Sequence, residues 1–163
     1  MRIDLDKLDI RLLNCLQANN LATAEELSTS VPLSPSAITR RIRRLREAKL
    51  IAQDVAVLSP AMLEGRVRGL VLIRLHAHGD SADLAALRRS LVDTPEVQRC
   101  FEITGPFDAA AIVVARDMNS FNEVVDSAIG DQPAVQRFET NFFKREMKNS
   151  PWVILDEETT SVG

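Results

Sequence analysis

No stretch of this chain approaches the roughly 18 consecutive apolar residues that a membrane-crossing helix needs, so no membrane partner is expected. The opening residues, Met1-Arg2-Ile3-Asp4, bring in acid early and lack the apolar core of a secretory signal. The cytoplasm is therefore the expected compartment. Cysteine is scarce: Cys15 falls in a helical pattern and Cys100 in a strand pattern, with no CxxC and no Cys/His pair at zinc-ligand spacing. Both read as buried, reduced thiols. Histidine is equally rare, and His76 and His78, two apart on one strand, have no third ligand of suitable type. No metal site is expected. Nor is there a nucleophile–base pair, a phosphate-cradling glycine loop or a paired carboxylate, so neither an enzyme nor a cofactor is expected.

What is present is an ordinary globular composition, 45% apolar and 26% charged, over 163 residues, enough for two domains. The net charge of −3 argues against a nucleic-acid partner until its distribution is considered. Residues 1–60 hold nine basic against seven acidic side chains, whereas residues 61–163 hold eleven against sixteen. Five arginines fall within residues 40–46. The basic character is local.

Over residues 5–18 the spacing of Leu5, Leu8, Leu12 and Cys15/Leu16 predicts a helix, with Asp4 or Asp6 to cap it. Thr23-Ala24-Glu25-Glu26 is a capping box opening a second, short helix that Pro32 stops. Ser34-Pro35 then starts a third, running to about Glu47 with Ile38, Ile42 and Leu45 inward. Ser36, Arg40, Arg43 and Glu47 point the opposite way, flanked by Thr39 and Arg44. Three helices in this space, with a short turn before the third, predict a helix-turn-helix.

Residues 51–60 read as an extended linker strand, and Gly65 and Gly69 as a hinge. Beyond them the elements shorten and alternate. The expected order is strand 70–76, helix 81–92, strand 97–103, a turn, strand 108–115, a helix ended by Gly130, and strand 135–143. This βαββαβ order predicts a ferredoxin-like sheet covered by helices on one face. Leu70, Leu72, Cys100, Ala110, Ile112 and Val114 share one strand parity, and Val71, Ile73, Leu75, Phe101, Val113 and Ala115 the other. Helices can cover only one such face, so a second copy is expected on the other. In the tail, the apolar run Trp152–Leu155 is expected to dock and Asp156-Glu157-Glu158 to be solvated.

Three segments resemble one family. Leu5-Asp6-Lys7-Leu8-Asp9-Ile10-Arg11-Leu12-Leu13 is similar to the opening signature of the Lrp/AsnC (feast/famine) transcriptional regulators. The run from Leu33 to Leu45 resembles their recognition helix, and Ile103-Thr104-Gly105-Pro106-Phe107-Asp108 a turn of their effector domain. The sequence departs from the pattern at Lys49, where a glycine usually follows the helix, and at Pro106, which stiffens the turn.

The resemblance implies an α+β protein with an N-terminal winged helix-turn-helix domain (1–60), a ferredoxin-like βαββαβ effector and dimerisation domain (61–149) and a tail (150–163). It implies a sequence-specific regulator of transcription that binds double-stranded DNA as a homodimer, assembling into a tetramer or octamer. On the recognition helix, Ser36, Thr39, Arg40 and Arg43 suit base edges, following Ser34 and Pro35 at its start, and Arg41 and Arg44 suit phosphates. Thr104, Gly105, Pro106, Phe107 and Asp108 suit a free amino acid, with Thr104 and backbone N–H groups for its carboxylate and Asp108 for its ammonium. The family pattern places the pocket between the effector domains of neighbouring dimers and adds Phe138 and Thr140 from the fourth strand. The plainer alternative is that Gly105 only turns the chain and Asp108 only caps a strand end. Sirohaem decarboxylases also resemble this family in both domains, but two histidines and an arginine cluster placed for DNA point elsewhere.

Overall fold

The computed structural model describes residues 3–77, 80–156 and 161–162, and the chain divides into two compact units, 1–57 with 148–163, and 58–147. His78, Glu157 and Glu158 lie outside the described residues.

The first unit is built from β1 (Ile3–Asp4), α1 (Lys7–Ala18), α2 (Ala24–Ser28) and α3 (Pro35–Glu47). Each helix begins where its sequence says it should. Asp6 caps α1 in a reciprocal box with Asp9, Thr23 caps α2 in a box with Glu26, and Ser34 caps α3 ahead of Pro35. Leu12, Leu16, Leu27, Val31 and Ile38 form one buried cluster between these helices, and Leu5, Ile10, Leu13 and Leu45 a second.

The end of α3 explains Lys49. The Leu50 N–H donates to Leu45 O (3.0 Å) and the Lys49 N–H to Arg46 O (2.9 Å). This double closure needs a left-handed residue at position 49, and Lys49 adopts φ +55°. A side chain there is strained. Lys49→Gly is expected to raise the stability of this unit by about 0.5–1 kcal/mol, read as a higher urea midpoint. An unchanged or lower midpoint contradicts the strain.

The linker strand expected over 51–60 does not form: residues 52–59 belong to no ladder. The only two-stranded ribbon among the described residues pairs β1 with β6 (Ser161–Val162), antiparallel. The tail docks along its apolar run, through backbone hydrogen bonds and one side chain. Asn14 and Gln17 of α1 exchange hydrogen bonds with the backbone of Leu155 and Val153 (2.8–3.3 Å). Leu155 packs on the second cluster while Ile154 stays 90% exposed.

The second unit runs β2 (Val67–Leu75), α4 (Ser81–Asp93), β3 (Val97–Glu102), β4 (Ala109–Ala115), α5 (Met118–Val125) and β5 (Val135–Phe142). A wider turn of helix, Asp126–Gly130, extends α5. The strands pair antiparallel in the order β3-β4-β2-β5, the βαββαβ arrangement expected. Val71, Ile73, Ala111, Val113, Leu87, Phe121 and Ile129 fill the core between sheet and helices.

Two expectations change here. Gly69 is no hinge: it lies inside β2, and a Cβ there would stand 2.9 Å from the buried Phe121 ring. Glycine is needed for packing rather than for motion. Cys100 also exchanges faces with Phe101. The register of β3 on β4 shifts between Val97 and Arg99, so Cys100 pairs with Ala111 toward the core and Phe101 with Ala110 on the open face. A bulge flips every residue beyond it.

Candidate nucleic-acid interface and effector site

The helix-turn-helix places α3 with one face sealed and the other open. Ile38 and Leu45 are buried, while Ser36, Thr39, Arg40, Arg43, Arg44 and Arg46 are exposed. Ser34 and Pro35 shape the helix start, and the Ser34 hydroxyl accepts from the Ala37 N–H (3.3 Å) and lies 3.2 Å from the Ser36 hydroxyl. The Thr39 hydroxyl donates back to Pro35 O (3.0 Å).

The five arginines are not equivalent. Arg41 is turned inward against α1, donating to Asp6 Oδ2 (2.6 Å) and Asp9 Oδ1 (2.8 Å). Arg44 pairs with the other oxygen of Asp9. Asp9 itself is 1% exposed, the one buried charged residue among those described. Burial alone would raise the Asp6 carboxyl, but the Asp9 backbone N–H and the Arg41 guanidinium outweigh it and hold the group below its ordinary value. The same pairs, Asp6 first and then Asp9, raise Arg41 above its ordinary range.

The Arg41 charge is matched by these two carboxylates, and its side chain joins α3 to α1. Arg44, half exposed, keeps a side open to solvent. Arg43 pairs with Glu47 one turn on (2.8 Å) and Arg46 with Asp54 (3.1 Å). Arg40 alone of the five has no ion pair or hydrogen bond among the described residues. Its guanidinium is free to meet an acceptor from outside.

Asp9 escaped the sequence reading although a signal existed. It sits on the buried stripe between Leu5 and Leu12/Leu13, where a carboxylate requires a cation.

In the second unit the turn Thr104–Asp108 joins β3 to β4. Thr104, Gly105 and Pro106 are exposed and Gly105 adopts φ +123°, a conformation glycine tolerates best. Asp108 already has work: its Oδ2 accepts from the Leu75 N–H (2.9 Å) and lies 3.6 Å from Arg74 Nη1. That is the strand-end cap of the plainer reading, with the second carboxylate oxygen left over. Phe107 lies under Arg137, 5.3 Å from ring to guanidinium carbon.

Within one chain, Phe138 and Thr140 lie apart from the turn. They pair with Ile73 and Val71 across β5–β2 and share their core-facing side, where Phe138 packs on Gly130 and Thr140 lies near Gly69. The turn instead borders a cleft between α4 and β3, of about 420 Å³, whose lining includes Leu84, Arg88, Cys100, Glu102 and Asp108.

A helix-turn-helix with an open basic face, joined to an α+β unit holding a small-molecule-sized cleft, is the build of a ligand-responsive transcription regulator. The comparisons make this specific. Residues 5–46 match the AsnC-type helix-turn-helix domain and residues 69–153 the Lrp/AsnC ligand binding domain. The chain belongs to the Lrp/AsnC family of DNA-binding transcriptional regulators.

An HTH-type transcriptional regulator of Sinorhizobium fredii is 34% identical over 139 residues, 85% of this chain and 81% of that one. A transcriptional regulator of Neisseria meningitidis, solved as an L-Met complex, is 31% identical with a TM-score of 0.79, over 90% of this chain and 94% of its own. An AsnC family transcriptional regulator of Agrobacterium tumefaciens shares the fold, with a TM-score of 0.80 at 24% identity over 91% and 96% of the two chains.

Proposed function

We propose that the protein is a homodimeric regulator that reads an imperfectly palindromic DNA site with paired α3 helices and adjusts that binding to a free amino acid. Acting on DNA, it works in the cytoplasm and catalyses no reaction. The observation carrying the first half is the unpaired Arg40 guanidinium at the centre of the open α3 face, with Ser36, Thr39 and Arg43 beside it. A helix of this size fits the major groove, and arginine can donate twice to guanine. Arg43 must first release Glu47. Arg44, Arg46 and Lys49 suit the phosphates, with Arg41 acting only by positioning.

The dimer is supported by the sheet face opposite the helices. Leu70, Leu72 and Ile112 lie there only half-buried, next to Phe101 at 49% exposed. Symmetric pairing of this face covers it, and higher assembly into a tetramer or octamer uses surfaces beyond it. The amino-acid effector is supported by the ligand-binding domain match, by the Neisseria relative's L-Met complex, and by the exposed turn at Gly105 with the spare Asp108 oxygen.

Arg40→Ala tests the DNA half. Fluorescence anisotropy is expected to show specific affinity weakened by about 1–3 kcal/mol, with weak non-specific binding nearly unchanged. Equal specific affinity for variant and parent strikes Arg40 from the interface.

A further inference from the structure

We infer that Glu47 is a selectivity residue of the DNA-reading face: it holds Arg43 back from phosphates and yields it only to a matching base. The inference rests on the DNA reading above and adds the side chain that restrains it. Glu47 is the only carboxylate on α3, against five arginines. It stands on the open stripe of Ser36, Arg40 and Arg43, one turn beyond Arg43. The Arg43 Nε donates to Glu47 Oε1 (2.8 Å). That hydrogen bond raises Arg43 above its ordinary range, so its positive charge is already answered. Arg40, on the same stripe, has no such partner among the described residues. A face built only to cling to phosphates gains nothing from Glu47, which cancels one charge and repels the DNA backbone.

The pair is weak enough to open and strong enough to choose. Arg43 and Glu47 are 79% and 64% exposed, so water and salt screen their attraction. On unmatched DNA a phosphate merely replaces one anion by another, and Arg43 stays with Glu47. On a matched site Arg43 exchanges one hydrogen bond to Glu47 for two to guanine O6 and N7, and the exchange favours DNA. Glu47 therefore subtracts more from non-specific than from specific binding, and selectivity is the difference between the two. The net charge of −3 adds no bulk attraction to a polyanion that would offset this restraint. Arg40 supplies affinity from the first encounter, whereas Arg43 contributes only once the register is right.

The test compares the parent with Glu47→Gln, Arg43→Ala and the double variant, all changes at exposed side chains. Fluorescence anisotropy follows the full chain on the DNA upstream of its own gene and on a random-sequence duplex of equal length. Each titration is repeated over a range of potassium chloride concentrations. Glu47→Gln is expected to tighten binding to the random duplex about threefold or more, and to its own site about twofold at most. The salt slope on the random duplex should steepen by about 0.9, the share of one newly contacted phosphate. With Arg43 already alanine, Glu47→Gln should produce neither effect, because no guanidinium is left to release. No change on the random duplex, or equal tightening on both duplexes, overturns the inference. So do the same changes in the Arg43→Ala background, which would make Glu47 a plain charge acting through space. A parent that binds neither duplex, or both alike, overturns the DNA reading itself and this inference with it.

Discussion

Replacing both Arg41 and Arg44 by alanine is expected to destabilise the helix-turn-helix unit by about 3–5 kcal/mol, because it leaves Asp9 buried without a cation. Each single replacement should cost much less, since the remaining guanidinium still meets one carboxylate oxygen. The decisive comparison is a triple variant that also carries Asp9→Leu. Removing the stranded charge should recover most of the loss, because an apolar residue on the buried α1 stripe satisfies the site without an ion pair. Trp152 is the one tryptophan of the chain and belongs to this unit, so its fluorescence reports urea unfolding of the right half of the molecule. A double variant as stable as the parent would mean that the network contributes nothing. DNA affinity should fall with the double variant and stay low in the triple one, because stability returns but the anchoring of α3 to α1 does not.

The second large effect is expected at Ile112→Glu, in the middle of the open sheet face. In a single chain the new carboxylate would sit opposite Arg99 of β3, so the monomer should tolerate it. In a symmetric dimer the same charge is driven into an apolar interface. The cost there is at least about 3 kcal/mol, roughly a hundredfold or more in the dimerisation constant. Analytical ultracentrifugation should show monomers where the parent shows dimers or larger species. Operator affinity should fall by about 10²-fold or more, since two tethered α3 helices bind as one ligand and separate ones do not. An unchanged sedimentation profile places the dimer contact elsewhere.

Local signals in the sequence translated directly into structure. The caps at Asp6, Thr23 and Ser34 are contacts between residues two or three apart, so composition alone specifies them. The change of periodicity after residue 66 likewise announced the βαββαβ unit. What the sequence hid was long-range. Nothing near Arg41 distinguishes it from Arg40 or Arg43; only Asp9, 32 residues earlier on a packed helix, turns it inward. The bulge between Val97 and Arg99 moved Cys100 and Phe101 to opposite faces, and no local pattern shows where a strand will slip. Gly69 looked like a hinge because the Phe121 ring that forbids a side chain there comes from a helix far along the chain. The turn Thr104–Asp108 was visible, whereas Phe138 and Thr140, taken from the family pattern, lie on the core-facing side of β5. The residues that line the cleft beside that turn, Arg88 and Glu102 above all, converge only once α4 lies over β3.

The most direct test is a footprint of the purified protein on the DNA upstream of its own gene. Two protected half-sites of related, inverted sequence are predicted, their centres one helical turn or a small multiple apart (about 34 Å, or 10–10.5 base pairs, per turn), as two copies of α3 in successive major grooves require. Protection without any repeated half-site, or no protection at low salt, would contradict the claim that this helix reads DNA in pairs.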